Sequence, residues 1–154
     1  MDKKHSKRIS RRPGAVVAIA LGDGTYAFGR VLKEPLMAFY DLRADQIPPV
    51  NEIMQAKILF RIWVMNSAVT KGNWPIVGHA PLVEADQVLP TFFRRDAISG
   101  KFSLYRSGEA EVPATKEDCR GLERASVWSA CHVEDRLRDH FAARPNKWVE
   151  SMQP

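Results

Sequence analysis

The sequence predicts an α+β fold: a strongly curved antiparallel sheet or small open barrel, with one C-terminal helix packed on it. Three observations predict it. Residues 14–42 read as three strands in succession, joined by Asp23-Gly24 and by Lys33-Glu34-Pro35, and Asp-Gly is a strong short-hairpin signal because both residues tolerate positive φ. Two further alternating runs, 91–97 and 101–105, flank Ser99-Gly100 and read as a second hairpin. Val133, Leu137 and Phe141 recur every four residues inside 130–142, the one stretch with a sustained helical period.

The first hairpin sets the predicted curvature. Taken as a two-residue turn, Asp23-Gly24 places Leu21 opposite Tyr26, Ile19 opposite Phe28 and Val17 opposite Arg30. Side chains alternate along a strand, so these residues share one bulky face. The other face then carries Val16, Ala18, Ala20, Ala27, Gly29 and Val31. A small face admits a close neighbour, and a glycine inside a strand signals a bend or a close backbone approach.

The remaining elements follow in order. Residues 43–51 form a loop, with Pro48-Pro49 excluding helix and central strand, and 52–55 make one helical turn. Residues 57–64 are a fourth strand, with Ile58, Phe60, Ile62 and Val64 on one face and Leu59, Arg61 and Trp63 on the other. Residues 66–72 are turn-like. A short strand follows at 74–78, where Pro75 fits a strand start or a sheet edge. Residues 82–88 fit either a turn or one helical turn, and 108–113 read as loop. The Thr115 hydroxyl caps a helical turn that Gly121 stops. Residues 122–128 form a last strand, and Ser129 caps the helix 130–142. Within it Glu134 and Arg138 make an i,i+4 pair. Arg144-Pro145 ends it.

Charge separates tail from body. The formal net charge is +5. Lys3, Lys4, Lys7, Arg8, Arg11 and Arg12 stand against Asp2 alone in residues 1–12, so that segment carries the whole excess. It reads as a disordered basic tail, with 151–154 as a second tail. The remainder is neutral and offers no overall field for nucleic acid. A basic start before the apolar run 15–21 resembles a bacterial export signal. The same run is equally a core strand that cleavage would remove, so a cytoplasmic protein is expected. No stretch is long enough to span a bilayer.

A search for chemistry finds no reactive centre. Cys119 and Cys131 do not make a disulfide framework, and reduced thiols are expected. His132 adjoins Cys131, but neighbours on a helix point about 100° apart and form no dyad. No CxxC or HxxxH spacing provides metal ligands, and Glu109 and Glu111 lie on a loop without an apolar pocket. No phosphate-binding glycine loop, nucleophile elbow or zinc-protease motif is present. No catalytic residue, cofactor or metal is expected.

Five motifs then carry a resemblance. They are Tyr26-Ala27-Phe28-Gly29-Arg30-Val31-Leu32, Met37-Ala38-Phe39-Tyr40-Asp41, Trp74-Pro75-Ile76-Val77-Gly78, Leu122-Glu123 with Val127-Trp128, and Val133-Glu134-Asp135-Arg136-Leu137. In order across most of 14–148, they resemble the immunity protein 26 family of bacterial polymorphic toxin systems. Family members often follow the first glycine with an acid; here Ala15 follows Gly14, which leaves any role of that acid in doubt. The resemblance implies a single immunity-type domain over 13–150. It also implies a non-enzymatic protein kept in the producing cell, where it binds a cognate protein toxin and blocks it. Arg30, Trp74, Glu123 and Trp128 recur in those motifs and are scaffold or contact residues. Arg61 and Trp63, on the outward face of strand 57–64, are further contact candidates. The rival reading is a nucleic-acid-binding β-domain that uses the basic arm and stacks bases on Phe92, Phe93 and Tyr105. With a neutral body, nucleic acid is not the expected partner. The sequence sets no oligomeric state.

Overall fold

Val16 and Val17 are neighbours in the chain, point to opposite faces of a strand, and are both fully buried. The sheet they belong to is therefore covered on both sides. The computed structural model describes residues 9–154; the tail expectation for residues 1–8 lies outside the described residues. Strands β1 (Ala15–Ala20), β2 (Tyr26–Val31), β3 (Leu36–Tyr40) and β4 (Ile58–Val64) form an antiparallel meander. β5 (Ile76–His79) pairs antiparallel with β1, and β9 (Val127–Trp128) pairs parallel with β4, giving the order β5-β1-β2-β3-β4-β9. β6 (Phe92–Arg95), β7 (Phe102–Tyr105) and β8 (Val112–Ala114) make a separate antiparallel sheet. The helices are α1 (Val50–Gln55), α2 (Ser67–Thr70), α3 (Lys116–Cys119), α4 (Ala130–Phe141) and α5 (Lys147–Ser151), with a 3-10 turn at Glu84–Gln87. The fold is α+β as predicted. The larger sheet is open, with β5 and β9 at its ends among the described residues, so no barrel closes.

Two apolar clusters sandwich the larger sheet. Val17, Ile19, Met37, Phe39, Phe60 and Ile62 lie on one side, with Val133 and Leu137 of α4 against them. Val16, Ala18, Phe28, Leu36, Ala38 and Tyr40 lie on the other, with Ile53 of α1 and Phe92 of β6. Trp148 and Val149 of α5 and the following Met152 close over the first cluster. The chain is thus structured through α5 and beyond it. The signal for α5 was Asn146, whose side chain accepts from Val149 N at 3.0 Å and caps the helix.

The first hairpin corrects the predicted register. Its loop has three residues, since Leu21 N donates to Thr25 O at 2.9 Å and Ala20 pairs with Tyr26. Gly22 and Gly24 both take positive φ, at 87° and 84°, so the turn uses the two glycines with Asp23 between them. Val16 then faces Arg30, Val17 faces Gly29, Ala18 faces Phe28 and Ile19 faces Ala27. A one-residue change of register exchanges every cross-strand partner. Large now opposes small on both faces, and neither face is uniformly small. At Gly29 a Cβ would stand 3.0 Å from Phe39 Cε1. The glycine there makes room for an aromatic ring.

Other elements depart from expectation for local reasons. Phe39 pairs with Phe60 but Tyr40 pairs with Ile58, so Leu59 is the extra residue of a bulge. The bulge ends the alternation: Phe60, Ile62 and Val64 stay buried, Leu59 packs on their cluster, and Ile58 turns out. Residues 67–70, read as turn, are helical and bury Ala68 and Val69. The loop 108–113 runs into β8, an edge strand that tolerates Pro113. Ser129 begins α4 without a side-chain cap; its hydroxyl lies 3.4 Å from Cys131 Sγ. Thr115 does cap α3, accepting from Asp118 N at 3.2 Å while Asp118 accepts from Thr115 N at 2.9 Å. Arg11 is not a solvated tail residue. It is 8% exposed and donates to Val64 O, Pro35 O and Asn66 Oδ1. Desolvation pulls its guanidinium below the ordinary arginine value, with Glu34 opposing the shift.

Candidate interaction surface

The six residues singled out from sequence fall into two groups. Arg30 is 6% exposed; it donates to Ala80 O at 2.9 and 3.1 Å and to Pro81 O at 2.7 Å, and lies 3.1 Å from Asp86 Oδ2. It fastens the 80–86 segment over β2. Trp74 is buried with its ring edge-on to Phe39, centroids 5.7 Å apart. Trp128 is buried at the end of β9. These three have internal partners and shape the scaffold. Arg61, Trp63 and Glu123 keep solvent access. Arg61 Nη1 donates to Val88 O at 2.7 Å. Trp63 packs on Phe92 and Tyr105, with centroids 4.7 and 5.7 Å apart. Arg61 and Trp63 alternate on the face of β4 that meets the smaller sheet and the 82–90 segment, so the fold brings these two together. Glu123 lies apart, bound to α4.

Glu123 is bound by Arg136, a residue of the last of the five motifs that was not among the six. Arg136 forms two bonds to the Glu123 carboxylate, at 2.6 and 3.1 Å. Its guanidinium also lies 3.7 Å above the Phe60 ring and 5.1 Å from Trp128. Planar stacking with a bidentate carboxylate uses arginine's full geometry. The available signal was its i+3 spacing from Val133, which turns Arg136 toward the buried face of α4.

The smaller sheet combines rings and cations at the surface. On one face Arg94 lies 4.2 Å over Tyr105 and 3.7 Å from Glu111, which also accepts from Ser103. On the other, Arg95 lies 5.5 Å over Phe102, and Arg124 lies 5.3 Å over Phe93. Phe92 and Phe93 are buried and do not present ring faces to bases, and the Tyr105 ring is occupied by Arg94. Two of the three rings on which the nucleic-acid reading relied are thus closed to stacking, and the third, Tyr105, already carries Arg94. The β6–β7 connection carries Ile98 at its tip, 99% exposed. Asp96 Oδ1 accepts from the amides of Ile98 and Ser99 at 2.8 and 2.7 Å. Those bonds to the charged form, Ser99 first, hold the Asp96 carboxyl below its ordinary value.

The polar residues weighed for chemistry have structural partners. Cys119 is buried and Cys131 exposed, both as free thiols. His132 stacks on Trp148 with centroids 3.7 Å apart, and Glu109 lies 3.9 Å from Arg106. Among the described residues no group of three His, Cys, Asp or Glu side chains is placed to hold a metal ion, and no helix is long and apolar enough to cross a membrane.

A family model described as Immunity protein 26 matches residues 12–104. The match covers the meander and β6, ends inside β7, and stops before Glu123, Trp128 and Arg136. None of the curated proteins and none of the solved structures matches the chain.

Proposed function

The chain belongs to the immunity protein 26 family, and from that premise we propose that it binds one cognate bacterial toxin and blocks it by direct protein–protein contact. It acts without chemistry of its own, in the cytoplasm of the cell that makes the toxin, through one domain spanning 13–150. The match over residues 12–104 carries this reading.

The face built by Arg61, Trp63 and the β6–β8 sheet supports a contact role. Binding energy at interfaces concentrates on a few aromatic and arginine anchors, and this face supplies Trp63, Tyr105 and Arg94 with solvent access. A stable complex of this kind buries roughly 1,200–2,000 Å² in total. Arg30, Trp74 and Trp128 serve it indirectly by fixing the shape of the scaffold. Glu123 serves through Arg136.

The test is to read the frames flanking this gene and to co-express the chain with a toxin domain found there. Cells carrying both survive where cells carrying the toxin alone do not, and the two purified proteins elute as one complex. Death of the doubly expressing cells, with no complex formed, overturns the reading.

A further inference from the structure

Among the described apolar side chains, Ile98 is unusual in being almost wholly in water, at 99% exposure. The turn that carries it is tied by its own hydrogen bonds. Asp96 Oδ1 ties down the amides of Ile98 and Ser99, Gly100 N donates to Asp96 O at 2.9 Å, and Asp96 N donates to Lys101 O at 2.9 Å. Ser99 Oγ accepts from Lys101 N at 3.2 Å. A side chain presented on a preorganised turn loses little conformational freedom on binding.

The flanks of this tip are cationic. Arg94 and Arg106 are paired with Glu111 and Glu109, whereas among the described residues Arg95 and Lys101 make no ion pair, and the Asp96 carboxylate is already engaged by the tip's own amides. Arg94 and Arg95 are braced on Tyr105 and Phe102. An apolar point with the cations Arg95 and Lys101 on the strands beside it is the arrangement of an interface anchor with its polar rim. The complementary surface is an apolar pocket bordered by carboxylates, since opposite charge steers encounter and rejects wrong partners.

We propose that the 92–106 hairpin is the wedge by which this chain enters its toxin, with Ile98 filling an apolar pocket rimmed by acidic side chains. The assignment rests on the immunity reading above.

The test uses the full chain and the purified toxin domain that the co-expression experiment above identifies. Ile98→Asp and Ile98→Ala are compared with Ile47→Asp, an apolar site in a different loop that is 47% exposed. Both Ile98 variants keep the wild-type melting temperature. Ile98→Ala weakens binding roughly tenfold and Ile98→Asp roughly a hundredfold or more, while Ile47→Asp stays within about twofold. An Arg95→Ala, Lys101→Ala double variant slows association and flattens its dependence on salt. Wild-type binding matched within about twofold by Ile98→Asp overturns the wedge and leaves the immunity reading standing. An association rate unchanged in the double variant overturns the acidic rim. Failure of the wild-type chain to bind or protect overturns the immunity reading and the wedge together.

Discussion

β3 and β7 both carry aromatic rings, and the two strands live in different surroundings. All five residues of β3 are buried, with Phe39 against Phe60 at 5.2 Å and against Trp74. All four residues of β7 are half-buried, and its rings, Phe102 and Tyr105, are each covered by an arginine. In the larger sheet a ring is covered by other apolar groups, and removing it leaves a cavity. On β7 a ring is covered by a solvated cation that can move away at small cost. The first arrangement fixes the scaffold. The second leaves a surface whose side chains can be changed without unfolding the protein.

That contrast is broken most directly at Phe39. Phe39→Ala should lower unfolding free energy by about 3–5 kcal/mol, because Phe60, Trp74 and Gly29 cannot collapse into the space of the ring. Urea titration measures it, and a loss under about 1 kcal/mol would place β3 in the tolerant class. Arg136→Ala comes next, at about 2 kcal/mol, since it removes a bidentate pair and a stacked cation from a mostly covered site. Arg136→Lys should recover little of this, because an ammonium cannot span both Glu123 oxygens.

Smaller effects sharpen the comparison on the other sheet. Thr115→Ala should cost about 1 kcal/mol through loss of the α3 cap. Arg94→Ala should cost less than about 1 kcal/mol, since both the cation and its Glu111 partner are exposed. The smallest effect is at the β6–β7 tip. Its Asp96 carboxyl is lowered in the folded state, so the bonds to Ile98 and Ser99 amides are complete above the ordinary aspartate value of 3.8. They are lost as pH falls through the lowered folded value. Amide exchange at Ile98 and Ser99, corrected for its intrinsic pH dependence, should therefore accelerate in that acid range. Exchange at Phe39 should not follow it.

Most elements were legible because local patterns and the tertiary environment agree. The runs at β1 to β4, the paired runs at β6 and β7, and the four-residue recurrence of α4 all lie where their side chains predict. The candidate surface was legible only in part. Arg61 and Trp63 stood out as polar and aromatic residues on one face of β4, and the fold does place them together beside the smaller sheet. Arg30 and Trp128 bear the same residue types but point into the molecule, a difference that residue type does not encode. Ile98 gave no signal, because an isoleucine beside Ser99-Gly100 looks like any strand end until its exposure is measured.

The amino-acid order by itself determined the strand and helix inventory, the neutral body, and the motifs that mark the family, since these depend on residue type and spacing along the chain. Tertiary structure decided the three-residue loop at 22–24 and the bulge at Leu59. It also decided the burial of Arg11 and Arg136. Each depends on a partner far away in the chain: a register is set by which faces must be covered, and a guanidinium leaves water only where carbonyls, carboxylates or rings await it. Those partners are assembled by folding, so their consequences become readable only once the sheets are in place.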